Sequence, residues 1–241
     1  MANNTFTPKL KGTLQPQMKA TLRKYGLIPY EIDKNIKSVL NELSNDTPVL
    51  ILFNLGLNMI PVWHYSVATG FDMKEKKIFL SAPKGDETWM SFEEFETFFE
   101  RGGKWAIVGL KPPLIPSSTN EREVIKAILD MYDVGNKDTA KHASMGYVSK
   151  NPTSYLGVVT LANMYFLDED FKSASFTYKE ALEIKPKDPI ILNNLAISLS
   201  KQNKLEEAKK YAIEAVSLGG VFIEKYKNTL AEIEGALKEQ K

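Results

Sequence analysis

Any chemistry in this chain would have to start from His64. It opens the run WHYSVATGFD, residues 63–72, whose alternating character predicts a strand. Side chains two apart on a strand share a face, so His64 and Ser66 look one way and Tyr65 and Val67 the other. An imidazole titrates near neutrality and serves as a general base when a nucleophile lies within hydrogen-bond reach. Asn54, at the end of the preceding apolar run, is a candidate to hold the ring. The nucleophile is the missing part, because the 241 residues include no cysteine. Ser66 is no substitute: it shares a strand with His64, and a nucleophile normally comes from another element. His142 has only Asp138 near it, and one histidine in each half makes no metal site. Without a glycine-rich phosphate loop or a ligand cluster, the sequence calls for no cofactor.

The elements that must position these residues fall into two halves. The first, residues 1–111, mixes helices and short strands. Leu14, Met18 and Leu22 mark one face of a helix that Gly26 stops. Asp33 is placed to cap a second helix, with Ile36, Val39, Leu40 and Leu43 on its buried side. PVLILF, residues 48–53, reads as a strand covered on both faces. Strands follow at Trp63–Phe71 and Lys77–Ser81. Ser91 and Glu94 form a capping box for FEEFETFFE, a helix that ends at Gly102-Gly103. Trp105–Leu110 closes a small antiparallel sheet. The glutamates of that helix, Glu93, Glu94, Glu96 and Glu100, read as a solvated face. Three prolines in KPPLIPSS, residues 111–118, mark a boundary, with 112–120 as a linker.

The second half is helical and has a period of 34 residues: Ala140, Ala174 and Ala208 follow it, as do Pro152 and Pro186, Leu161 and Leu195, and Ala181 and Ala215. Small residues at a fixed interval let paired helices cross closely, and proline ends each pair. This pattern resembles the tetratricopeptide repeat over 155–188 and 189–222, more loosely over 121–154, with 223–241 as a terminal helix. Such arrays bind peptides or partner helices along a concave face. The exposed positions there would be Val159, Asn163, Phe166, Asn193, Ile197 and Lys201. Asn163 and Asn194 match two places of a carboxylate clamp, but Val159, Glu224 and Asn228 stand where cations or another donor belong. The resemblance therefore implies a groove for protein or peptide without such a clamp.

The stretch from Gly12 to Leu110 also resembles the bacteriocin-leader peptidase-like family, the double-glycine cysteine peptidases of papain-like fold. The matching runs are KGTLQPQM, KYGLIPY, PVLILFNLGL, PVWHYSVATGFD, WMSFEEFETFF and KWAIVGL. The resemblance implies an α+β papain-like domain, partial or degenerate, followed by an all-α repeat solenoid. It makes His64 the family's general base. The family's cysteine and oxyanion glutamine would precede Lys11, where no cysteine stands. Ala82 occupies the place of the orienting aspartate, which leaves Asn54 as the alternative. Losing a nucleophile costs on the order of 10⁶ in turnover. The expectation is a catalytically inactive binding protein; the alternative is the C-terminal portion of a peptidase whose cysteine-bearing helix lies outside this chain.

Charge narrows the partners further. Lysine and arginine total 31 against 30 aspartates and glutamates, so no electrostatic footprint favours nucleic acid. No apolar run approaches the ~20 residues of a membrane span. MANNTFTPKLKG lacks the apolar core of a signal peptide, which makes cytoplasmic placement the default expectation, with the periplasm as the alternative if the native N-terminus is longer.

Overall fold

The computed structural model describes residues 14–81 and 87–240. The chain divides into two compact units, Met1–Ala143 and Ser144–Lys241. An antiparallel sheet with helices makes up most of the first, and a helical repeat array makes up the second.

The first unit is organised by one six-stranded sheet in the order β1-β6-β2-β3-β4-β5, every pairing antiparallel. The strands are β1 (Ile28–Glu31), β2 (Val49–Asn54), β3 (Trp63–Asp72), β4 (Lys77–Ser81), β5 (Glu87–Ser91) and β6 (Ala106–Leu110). β2 is apolar throughout because both of its faces are covered. Leu50 and Leu52 meet Trp105, Ile107 and Tyr65 beneath Met18 and Leu22 of α1 (Gln15–Lys24). On the opposite face Phe53 meets Phe95 of α3 (Phe92–Arg101) edge to face, with ring centres 5.3 Å apart. α2 (Ile36–Ser44) packs against β2 and β3.

Local signals end these helices where the side chains can do so. Ser91 and Glu94 form the capping box in both directions. The cap of α2 is Asn35, whose Oδ1 accepts the Ser38 N–H at 2.9 Å, and not Asp33. Asp33 lies too far before Ile36 to reach the open N–H groups of the first turn. The proline-rich stretch 112–120 is held against the sheet unit: Ser117 donates to Glu42 Oε1 at 2.7 Å, Asn41 to Ser118 Oγ at 2.6 Å, and Thr119 to the Glu31 carbonyl at 2.7 Å. α4 (Glu121–Asp133) belongs to this unit too, packed on β1 and tied to α1 through Arg23–Asp130 at 3.1 Å. α5 (Lys137–Lys150) follows it.

The second unit stacks antiparallel helices α6 (Tyr155–Leu167), α7 (Phe171–Ile184), α8 (Pro189–Lys201), α9 (Leu205–Leu218) and α10 (Ile223–Glu239). Ala162, Ala174, Ala181, Ala196, Ala208 and Ala215 are all fully buried, as close helix crossings require. The turns repeat as faithfully as the alanines. Residues 135, 169 and 203 are Gly, Glu and Asn, and each takes a left-handed φ, 91°, 60° and 61°. Each turn then closes with a bond from the next residue back to the carbonyl five before it: Asn136 to Met131, Asp170 to Tyr165, Lys204 to Leu199. This is the Schellman pattern of helix ends. The turn between α4 and α5 closes in the same way as the turns of the α6–α7 and α8–α9 pairs.

Candidate functional site

His64 sits at the second position of β3, half-buried, paired with Phe53 of β2. Ser66 follows on the same face and is buried, as the strand period requires. That face lies under α3, because Phe53 is the residue that meets Phe95. Ala82 and the run before Leu14 lie outside the described residues.

Asn54 does not orient His64. It pairs with Trp63, one register position from the Phe53–His64 pair, so its side chain leaves the sheet on the other face. Its amide oxygen instead accepts the N–H of Gly56 at 3.0 Å and of Val62 at 2.9 Å. Asn54 is almost fully buried and acts as a clasp that joins the two ends of the β2–β3 loop. Asn-Leu-Gly after an apolar run was the available signal, since Asx side chains bond backbone N–H groups two residues on. His142, in α5, places Nδ1 against the Asp138 carbonyl at 2.8 Å, one helical turn back.

The second candidate surface is the first helix of each repeat. Asn163 of α6 is exposed, yet its Oδ1 takes the hydroxyl hydrogen of Tyr178 at 2.7 Å. Burial pushes the Tyr178 phenol up to about 12, with the Asn194 amide opposing the rise. Phe166 is half-buried, edge-on to Phe171 at 5.6 Å and near Tyr178 at 6.5 Å, so it braces its own hairpin while part of the ring stays at the surface. Its aromatic bulk fits the turn between α6 and α7 better than open solvent. Asn193 of α8 is buried, and its amide oxygen has no hydrogen-bond partner among the described residues. Ile197 and Lys201 line a cleft of about 650 Å³ between α8 and α10, opposite Thr229, Glu232 and Ile233. Leu156 and Ile190, 34 residues apart, add an exposed apolar side chain at the same place in each repeat.

Between the two repeats lies a junction that periodicity alone does not reveal. Asp188 caps α8, with Oδ1 accepting the N–H of Ile190 at 3.0 Å and of Ile191 at 3.4 Å. Its Oδ2 accepts from the Tyr155 hydroxyl at 2.7 Å and from Lys185 Nζ at 2.8 Å. Burial alone would raise this carboxyl, but Lys185, Tyr155 and the two backbone N–H groups outweigh it and hold it below its ordinary value. Burial, reinforced by the same contact, raises the Tyr155 phenol. One carboxylate thus ties the start of α6 to the start of α8.

Residues 158–188 and 177–210 each match the tetratricopeptide repeat family. An uncharacterized protein of Aquifex aeolicus (strain VF5) is 29% identical over 146 residues, 56% of this chain and 70% of that protein. The peroxisomal targeting signal receptor of Kluyveromyces lactis is 26% identical over 110 residues, 45% of this chain. The chain spans only 19% of that receptor's length. Among solved structures, the Yersinia enterocolitica type III secretion chaperone SycD in complex with a peptide of the translocator YopD is similar at 17% identity. That match covers 49% of this chain and 93% of the chaperone chain, with a TM-score of 0.44. The two family matches show that the C-terminal region carries tetratricopeptide repeats. No helix among the described residues is long and apolar enough to cross a membrane.

Proposed function

We propose that this chain is a non-catalytic protein- or peptide-binding protein. Its binding surface is the first-helix face of the repeats, and its sheet unit is a papain-like peptidase scaffold that kept His64 without a nucleophile. The observation that carries the binding reading is the repeated exposure of apolar side chains on the first helices: Leu156 and Ile190, 34 residues apart, are 39% and 45% exposed, and Ile197 and Lys201 line the cleft beside α10. The peptidase ancestry rests on the resemblance around His64, and the non-catalytic reading on the absence of cysteine from the chain.

Selection of a displayed random-peptide library on the full chain tests the first part. Enriched peptides are expected to lose binding at Ile190→Glu and Ile197→Glu and to keep it at His64→Ala. Peptides indifferent to both groove variants would refute it. The second part predicts no hydrolysis of peptide reporters above buffer. Turnover abolished by His64→Ala would instead make the chain an enzyme.

A further inference from the structure

The β2–β3 connection, residues 55–62, has a fixed backbone and an apolar tip. Asn54 clasps both ends, and Ile60 donates to the Leu57 carbonyl at 3.0 Å, folding Asn58 and Met59 into a tight turn. A Cβ on Gly56 would lie 2.3 Å from the Ile60 carbonyl oxygen, so only glycine fits the close approach. Arg101 of α3 donates to the Gly56 carbonyl at 3.3 Å while its guanidinium lies 5.9 Å from the Phe98 ring. Turns of this kind ordinarily carry polar residues or glycine at their tips. Here Leu57, Met59 and Ile60 are 65%, 94% and 72% exposed, and Val62 and Trp63 extend the patch. A continuous apolar surface on a fixed frame marks an interaction site, since a partner meets it without an ordering cost.

Charge decides the partner. Glu93, Glu96 and Glu100 are exposed and spaced by three and four, so they form one stripe along α3. Glu100 lines a cleft of about 640 Å³ beside the turn, with Asn58, Thr97, Arg101 and Gly103. Lys104 pairs with Glu100 at 2.8 Å, and the four glutamates Glu93, Glu94, Glu96 and Glu100 outnumber Arg101 and Lys104 by two. Anionic lipid headgroups would be repelled across a Debye length of about 8 Å, whereas cations would be drawn in. We propose that this loop and stripe form a docking surface for a basic amphipathic segment of a partner protein. The segment's apolar side chains sit on Leu57, Met59 and Ile60, and its lysines or arginines face Glu93 and Glu96. The inference is independent of the repeat groove.

The test uses the full chain carrying Trp89→Phe. Trp63 then reports on the patch, because Trp105 is buried and residues 144–241 contain no tryptophan. The probe is a short leucine–lysine peptide patterned as an amphipathic helix. The expected result is a saturable blue shift of the Trp63 emission, with affinity about tenfold weaker for the leucine–glutamate counterpart. Met59→Ser combined with Ile60→Ser should weaken binding about tenfold, and Glu96→Lys should do so separately, each with an unchanged circular dichroism spectrum. The proposal is overturned by an absent shift, by equal affinity for both peptides, or by indifference to these variants. It is also overturned if vesicles of phosphatidylcholine and phosphatidylglycerol compete better than the basic peptide.

Discussion

The sheet unit and the repeat unit are specified in opposite ways. The repeat unit applies one rule at an interval of 34: a buried alanine at the crossing, a left-handed turn residue, a bond five residues back. Each rule is local, so every hairpin repeats the same form and gains its stability by stacking on the next. The sheet unit relies on single residues that occur once. β1 finds β6 about eighty positions away, Glu42 holds Ser117, and Asn54 alone closes the β2–β3 loop. Redundancy lets repeat residues be spent on a surface; in the sheet unit one substitution can loosen a whole connection.

The largest expected effects probe the repeat rule. Ala174→Leu and Ala208→Leu should each overpack a crossing and cost up to about 3 kcal/mol, seen as a lower melting temperature of the helical signal. Similar losses at both sites would support one shared geometry, whereas a large loss at one and none at the other would break it. In the sheet unit, Asn54→Ala removes the buried side-chain acceptor of two loop N–H groups and should cost about 2 kcal/mol. Amide exchange should then rise at Gly56 and Val62 while α6–α9 keep their protection. If the helices loosened as well, the two units would not be independently specified.

Asp188 is where the repeat unit does depend on one residue. Its Asp188→Ala variant loses a cap and a buried partner for Tyr155, a cost of about 2 kcal/mol in denaturant titration. Its folded-state carboxyl lies below the unfolded value of 3.8, so its stabilisation is present in full above that pH. The contribution is lost as pH falls through the lower folded value. Helical unfolding should therefore steepen below about pH 3.8 in the wild type, and Asp188→Asn should flatten that dependence. The smallest effect is a gain. Glu169→Gly and Asn203→Gly each relieve a left-handed φ and should stabilise by about 1 kcal/mol or less, Asn203 by less because asparagine tolerates that region better. Calorimetry on the two single variants would check the order.

These differences also explain what was legible in the sequence. The repeat register, the Ser91–Glu94 capping box and the strands β2, β3, β4 and β6 could be read directly, because each is a local pattern. β1 could not: it is four residues, broken by Pro29, and tolerated only because it is an edge strand. β5, Glu87–Ser91, lacks an apolar alternation and exists through its pairing with β4. Asn54 read as a partner for His64 because proximity in sequence hides which face a side chain takes, and register decides that. The ring contacts of Phe166 with Phe171 and Tyr178 were likewise hidden, because helical position alone does not show what lies beside a side chain.

The central claim is that the repeat helices are the working surface and the His64 region does no chemistry. Hydrogen–deuterium exchange of the full chain, with and without a library-selected peptide, tests it most directly. The account predicts slowed exchange along α6, α8 and α10 and unchanged peptide mass after incubation. Protection centred on β3 at His64, or a cleaved peptide, would contradict it.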